Sequence, residues 1–135
     1  MLMIKFTVLI LCETWLTLDI DYGFEIEEYR QLNLYRNSRG GGIKIFYHNQ
    51  IRNVELLNNF TVVNDVVEMI SFSIIEDTCK YIVCAIYRPP SSSAMDFNRF
   101  LFRDIFPNFP HNARIILAGD INYNLFNPYN LPYIK

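Results

Sequence analysis

The sequence predicts an α/β or α+β protein, in which hairpins pack into a sheet and one helix covers a face of it. Three observations predict this class. Several short runs of apolar and β-branched residues have strand patterns, one segment has helical spacing, and Gly, Pro, Asn and Asp separate them. With 135 residues the chain has about the length of one domain, so we expect a single domain over residues 1–135.

Two predicted strands pair in the first half of the chain. Residues 29–36 alternate loosely, and residues 43–48 alternate cleanly between apolar and other side chains. The sequence NSRGGG between them is a turn signal, so these strands form a hairpin. Before them, residues 7–12 form a continuous apolar run, which predicts a strand that is buried on both faces.

A second hairpin and a helix are predicted in the other half. Residues 66–75 and 80–87 flank the short sequence EDT, and the two prolines of RPPSSS exclude regular structure after them. Ser93 with Asp96 three residues on resembles a helix-capping box, and Pro107 ends the helix. An apolar stripe with helical spacing lies between these limits, at Phe97, Phe100, Leu101 and Ile105. Residues 114–118 form another apolar strand.

The amino-acid composition excludes few classes of function. The chain is 51% hydrophobic and 19% charged, which suits a globular core, and its net charge of −2 indicates no bulk attraction to nucleic acid. A local basic surface stays open, because acidic residues concentrate before residue 29 and basic residues follow.

The chain has three cysteines, Cys12, Cys79 and Cys84, and their spacing is not that of metal ligands. We expect them to be buried free thiols of a protein in a reducing compartment. The apolar N-terminus is too short to span a membrane and lacks a small-residue cleavage site, so we expect an intracellular protein, nuclear or cytoplasmic, without a membrane partner. A small secreted domain is the alternative, which a glycan on the sequon at Asn59 would support.

Two carboxylates follow the two apolar strands. Asp120 comes after residues 114–118 and Gly119, with the amide of Asn122 two residues on, and Glu13 follows residues 7–12. Each has an ordinary alternative: Asp and Asn are common in turns, and a Glu at a sheet margin can simply reach solvent. Together they form the kind of oxygen-ligand pair that suits Mg²⁺.

Tyr87 and Arg88 close a strand directly before a rigid Pro-Pro pair. A hydroxyl donor and a planar guanidinium both suit phosphate. The alternative is that Tyr87 belongs to the core and that Arg88 is a solvated cap.

Five motifs in order resemble the endonuclease/exonuclease/phosphatase superfamily, and more narrowly the apurinic-like endonuclease domain of non-LTR (LINE-type) retrotransposons. They are CETWL (12–16), RGGGIKIFY (39–47), VEMISFSI (67–74), AIYRPP (85–90) and LAGDIN (117–122). The resemblance implies a four-layer αββα sandwich. It also implies Mg²⁺-dependent phosphodiester hydrolysis, with Mn²⁺ as a substitute, and DNA as the partner of the full-length protein.

The resemblance also implies roles for single residues. Glu13 is similar to the metal-binding Glu, and Asp120 to the Asp that orients or deprotonates the attacking water. Asn122 and Tyr87 are similar to the residues that contact the scissile phosphate, beside which Arg88 is a further substrate-binding candidate.

The family pattern is incomplete here. No Asn precedes the Glu13 strand, and no Ser-Asp-His segment follows, since the only histidines are His48 and His111, which we expect to be structural or solvated. We therefore expect a partial domain, truncated at both ends, that is inactive or nearly so alone. Loss of a general acid or base typically costs about 10²–10⁴ in rate.

Two further alternatives stay open. The chain is either a catalytically dead remnant that acts as a binding module, or another phosphoesterase of the superfamily, acting on inositol phosphates or sphingolipids. We predict no stable protein partner, and whether the chain alone is an enzyme stays open.

Overall fold

The computed structural model describes residues 6–21, 23–36 and 40–123, which form a mixed α and β fold with two sheets. Sheet A contains β1 (Val8–Cys12), β2 (Tyr29–Leu34) and β3 (Ile43–His48) in the antiparallel order β1-β3-β2. The first predicted hairpin, β2–β3, is confirmed. Residues 37–39 of its predicted turn lie outside the described residues.

Sheet B contains the remaining strands that the structure describes: β4 (Val54–Leu56), β5 (Val62–Val63), β6 (Glu68–Glu76), β7 (Cys79–Tyr87) and β8 (Ala113–Asp120). β6 and β7 are antiparallel neighbours, which confirms the second hairpin. β8 runs parallel to β7, because the helical segment between them carries the chain back to the start of the sheet. Among the strands that the structure describes, β4 and β5 pair with β6 alone, and both are too short for a clear sequence pattern.

The helical segment follows the predicted cap. The hydroxyl of Ser93 accepts a hydrogen bond from the backbone N–H of Asp96 at 3.3 Å, and α1 (Ala94–Arg99) begins there. The segment then widens into a π-helical turn (Phe100–Ile105) and ends in a 3₁₀ turn (Phe106–Asn108) that contains Pro107. No helix in the described part of the chain is long and apolar enough to cross a membrane.

Two apolar cores make a three-layer arrangement of sheet A, sheet B and helix. The core between the sheets contains Ile43, Ile45, Ile70, Phe72, Val83, Ala85 and Tyr87. The core between sheet B and the helical segment contains Val67, Met69, Ile82, Cys84, Ile86, Phe97, Leu101, Ile105 and Phe109. Alternate residues of β7 therefore enter different cores, as the period of two in a strand requires.

A buried ion pair lies on the outer face of sheet A. The ammonium of Lys44, in β3, is 3.0 Å from both carboxylate oxygens of Asp21, and the hydroxyl of Tyr35 donates to that carboxylate at 2.6 Å. The hydrogen bond from Tyr35, followed by the bonds from Lys44, lowers the pKa of Asp21 below its ordinary 3.8. Burial, followed by the bond to Asp21, raises the pKa of Tyr35 to about 12. The cluster fixes the connection between β1 and β2 against the sheet.

Two strand predictions need correction. β1 is not buried on both faces, since none of its residues is fully buried and Leu11 is exposed. β8 is also largely exposed, and Asp120 is its last residue rather than the first residue after it. Both strands have one strand neighbour among the described residues, so their apolar runs lie at sheet margins instead of sheet centres.

Candidate active site

Three of the predicted site residues meet where β1, β7 and β8 end. Tyr87 is the last residue of β7 and lies directly opposite Asp120 in the parallel ladder. The hydroxyl of Tyr87 donates a hydrogen bond to a carboxylate oxygen of Glu13, which directly follows β1. The structure therefore brings Glu13, Tyr87 and Asp120 to one edge of the molecule, across both sheets.

The backbone around Glu13 is fixed in an unusual conformation. Glu13 and Trp15 have φ angles of 54° and 57°, in the left-handed region. The N–H groups of Thr14 and Trp15 donate to the carbonyls of Gly42 and Gly41 at 3.2 and 2.9 Å. These bonds continue the β1–β3 pairing beyond the strand and hold Glu13 at the sheet edge.

Gly119 allows β8 to approach β7 closely next to Asp120. Its φ is +138°, and a Cβ at this position would meet the carbonyl oxygen of Ile86. Any residue larger than glycine at this position would therefore push Asp120 away from Tyr87.

Asn122 joins the same edge through a tight turn. Its N–H donates to a carboxylate oxygen of Asp120 at 3.0 Å, and its side-chain amide donates to the carbonyl of Arg88 at 2.8 Å. The turn places Asn122 beside Asp120, while the amide already has a protein acceptor.

Arg88 is buried, and its guanidinium is directed to backbone carbonyls. It donates to the carbonyls of Ile121 at 3.1 Å, Asn122 at 3.0 Å and Ser92 at 2.6 Å. It also lies over the ring of Tyr123, with 4.9 Å to the centroid. The alternative of a solvated cap is wrong, since Arg88 is only 6% exposed. Its contacts shape the turn that carries Asp120 and Asn122.

Glu68 is a residue of this region that the sequence analysis did not single out. It is fully buried, lies opposite Tyr87 in the β6–β7 ladder, and accepts from the N–H of Gly42 at 2.6 Å and from Arg36 at 2.9 Å. Glu68 is the first residue of β6, within the predicted strand 66–75, and a buried carboxylate there needs partners, which was the available signal. Glu68 fixes the glycine segment that in turn holds Thr14 and Trp15.

Burial and nearby negative charge keep the hydroxyl of Tyr87 and the thiol of Cys12 protonated. The pKa of Tyr87 is raised well above its ordinary range, first by burial, then by the hydrogen bond to Glu13, and then by the charges of nearby carboxylates. Burial raises the pKa of the Cys12 thiol, which also lies near Asp120, Glu68 and Glu13. Both side chains are therefore neutral at pH 7.

At most two carboxylates at this edge are available to bind a divalent cation. Glu13 and Asp120 are exposed, whereas Glu68 already has two partners. Within the described ranges no group of three or more His, Cys, Asp or Glu side chains could hold a metal ion. Mg²⁺ usually keeps several waters and binds through one or two carboxylates plus substrate phosphate, so two oxygen donors are sufficient.

The remaining candidates have structural surroundings. His48 is buried in β3, where its Nδ1 accepts from the N–H of Gln50 at 3.2 Å, and His111 is exposed in the turn before β8. Cys12, Cys79 and Cys84 are free thiols, as predicted, but only Cys84 is fully buried. No family model and no curated protein matches this chain.

Proposed function

We propose that the chain is part of a Mg²⁺-dependent phosphodiesterase, a DNA-nicking endonuclease of the non-LTR retrotransposon type. The observation that supports this most directly is the meeting of Glu13, Tyr87 and Asp120 at one edge, with Asn122 on the adjoining turn. These residues come from three motifs spread over residues 12–122. Facing sheets with a helix outside also agree with a partial four-layer αββα sandwich.

Each residue of the site has a different role in the proposed reaction. Glu13 and Asp120 would hold the cation, which offsets charge on the phosphate when it is bound. Asp120 is exposed, so its carboxylate can align or deprotonate a water at the edge of the sheet. Tyr87 is held protonated, and its one hydroxyl hydrogen bonds Glu13, so it positions this carboxylate and reaches a phosphate oxygen only by changing partner.

Two contacts limit the activity we expect. The amide of Asn122 and the guanidinium of Arg88 already bond protein carbonyls, so contact with phosphate requires these groups to change partners. The family's upstream Asn and its Ser-Asp-His segment have no counterpart among the 135 residues. We therefore propose a metal site with weak or no turnover in this chain by itself.

Binding of Mn²⁺, measured by electron paramagnetic resonance, tests the proposal without requiring turnover. We expect binding that Mg²⁺ displaces, and that Glu13→Gln and Asp120→Asn each weaken about 10-fold or more. The matched controls are Glu76→Gln and Asp65→Asn, which change exposed carboxylates elsewhere and should leave the affinity unchanged. Equal binding by Glu13→Gln and wild type would refute the metal site.

Nicking of supercoiled plasmid DNA tests the reaction class separately. Any Mg²⁺-dependent nicking should disappear in Asp120→Ala. Clear nicking that depends on Asp120 would contradict the expectation that the chain alone is inactive. Competition by an inositol phosphate or a sphingolipid headgroup, but not by DNA, would favour the other phosphoesterases of the superfamily.

A catalytically dead binding module is the second candidate, and the contacts of Arg88 favour it. A guanidinium with three carbonyl acceptors stabilises the fold and does not depend on a ligand. In that case Mn²⁺ binding is independent of Glu13, and the same measurement separates the two candidates.

A further inference from the structure

The indole of Trp15 is exposed beside the candidate metal ligand Glu13. It is 61% exposed, although tryptophan is usually buried to a large extent, and it belongs to neither apolar core of the described residues. Trp15 is the second residue after Glu13, so their Cα atoms are at most about 7.6 Å apart. A large, flat, apolar surface therefore lies next to the candidate site and is open to solvent.

The backbone holds Trp15 in a conformation that a bulky residue rarely adopts. Its φ of 57° is in the left-handed region, where the side chain conflicts with its own backbone. Among the described residues six other than glycine have a positive φ, and three of them lie at this edge, namely Glu13, Trp15 and Asn122. Such strain is typical of positions that hold a ligand, because it persists only where surrounding contacts enforce it.

Contacts around Trp15 do enforce its conformation. Its N–H donates to the carbonyl of Gly41 at 2.9 Å, and the N–H of Gly42 donates to the buried carboxylate of Glu68 at 2.6 Å. Gly42 also lies close to Thr14, since a Cβ at Gly42 would be 2.7 Å from the Thr14 hydroxyl oxygen. The buried carboxylate in β6 thus fixes the position of an exposed indole through the glycine segment.

We propose that the indole of Trp15 is a stacking platform for a nucleobase of DNA, namely an unpaired base next to the phosphate at the metal site. This inference rests on the proposed function and names how the substrate is held. Every base has a flat π face that stacks on aromatic side chains. Each base is joined to its phosphate through one sugar, so a phosphate bound at Glu13 brings a base within reach of Trp15.

The charges at this edge favour a stacking contact with DNA. Glu13 and Asp120 are exposed carboxylates, which repel phosphate unless a cation lies between them. The guanidinium of Arg88 bonds backbone carbonyls, and that of Arg36 bonds Glu68. An uncharged aromatic contact adds affinity without a free cation of the protein. The base must be unpaired, because neighbouring bases cover both faces of a base inside a duplex.

Trp15 is the only tryptophan of the chain, so tryptophan fluorescence reports on the platform directly. The probe is a short single-stranded oligodeoxyadenylate, titrated into the full chain with and without Mg²⁺. We expect stacking to quench the emission, with a lower Kd when Mg²⁺ is present. Fluorescence anisotropy of the same oligonucleotide, carrying a dye, gives the Kd of the variants. Trp15→Ala should raise the Kd about 5- to 150-fold, and Trp15→Phe, which keeps a ring, should recover most of the affinity.

Three controls separate stacking from other causes. An abasic oligonucleotide of the same length should bind wild type more weakly than the oligodeoxyadenylate, whereas Trp15→Ala should bind both with the same Kd. Phe102→Ala removes another exposed aromatic side chain, on the helical segment, and should leave the Kd unchanged. Trp15→Gly relieves the left-handed conformation, so its urea midpoint, followed by circular dichroism, should be no lower than that of wild type. A clearly lower midpoint would indicate a packing role for the indole instead.

The platform and the metal site can fail separately. Emission that is not quenched with or without Mg²⁺, or equal Kd values for wild type and Trp15→Ala, refutes the platform. Mn²⁺ binding should be unchanged in Trp15→Ala, so in that case it still tests the metal site. Quenching by the oligodeoxyadenylate but not by the abasic oligonucleotide, in a chain that binds no Mn²⁺, supports the platform and refutes the metal site.

Discussion

The hydroxyl of Tyr87 donates a hydrogen bond to the carboxylate of Glu13, and this bond connects the end of β7 in sheet B to the end of β1 in sheet A. The phenol ring lies in the core between the sheets, while the carboxylate is exposed. One residue therefore contributes to packing and positions a candidate metal ligand, so its ring and its hydroxyl have separable effects.

Tyr87→Phe should keep the packing and remove the bond. We expect a loss of about 1 kcal/mol in the free energy of unfolding. Hydrogen bonds to charged groups usually contribute somewhat more, but the Glu13 carboxylate is exposed to water, which weakens the bond. Urea denaturation followed by circular dichroism measures it. Tyr81→Phe is the control, since its hydroxyl accepts from Arg114 at the surface, and its loss should be under about 0.5 kcal/mol. Equal losses would show that the Glu13 bond has no special contribution.

Lys44→Met should lower the free energy of unfolding far more than Tyr87→Phe does. The Lys44 and Asp21 side chains are only 3% and 7% exposed, and removal of one partner leaves a buried charge. Such changes cost about 3–5 kcal/mol. Unfolding of Lys44→Met in urea at pH 7 measures the loss, and a value under about 1 kcal/mol would contradict a buried pair.

Asp21 should also make stability depend on acidity. The hydroxyl of Tyr35 and the ammonium of Lys44 lower its folded pKa below the ordinary 3.8, so the unfolded chain binds the proton more readily. The stabilisation is fully present above pH 3.8 and disappears as the pH falls through the lower folded value. Unfolding free energies of wild type and Asp21→Asn should therefore converge with acidification below pH 4. Asp65→Asn, at an exposed position, should show no such convergence.

The sequence predicts most of the strands because their patterns are local. The alternation in β3 and the turn signals beside β6 and β7 identify both hairpins without any long-range information. The exposure of β1 and β8 could not be predicted in this way, since an apolar run is the same in a central strand and in an edge strand. What differs is the number of neighbouring strands, which is a property of the whole sheet.

The candidate site is predictable to a similar extent. Each of the three residues lies at the end of an apolar run, namely Glu13, Tyr87 and Asp120. They come together because the ends of their strands are neighbours in the fold. The position of Arg88 could not be deduced, because a guanidinium suits phosphate and backbone carbonyls equally well. Glu68 was missed because one acidic residue in an apolar strand resembles a strand margin until its partners, Gly42 and Arg36, are known.

Gly41→Ala tests whether Glu68 holds the glycine segment. Gly41 has a φ of +71°, and a Cβ there would meet a carboxylate oxygen of Glu68. Gly23 has nearly the same φ, +68°, but open space around it, so Gly23→Ala has the backbone strain without the contact. We expect about 1–2 kcal/mol for Gly23→Ala and at least about 1 kcal/mol more for Gly41→Ala. Thermal unfolding of both variants measures the difference, and equal melting temperatures would contradict the contact.

Arg88→Lys tests whether the guanidinium shapes the turn that carries Asp120 and Asn122. A lysine keeps the charge but cannot reach three carbonyls with one planar group, so at least one of these acceptors loses its donor. We expect a loss of about 2–4 kcal/mol in unfolding free energy. The control is Arg99→Lys, whose pair with Asp96 is half exposed at 3.3 Å and should contribute almost nothing. If the turn also positions Asp120, Mn²⁺ affinity falls in Arg88→Lys and stays constant in Arg99→Lys. Unchanged stability in Arg88→Lys would instead mean that the guanidinium is free to bind phosphate, which restores the role that the sequence first indicates for it.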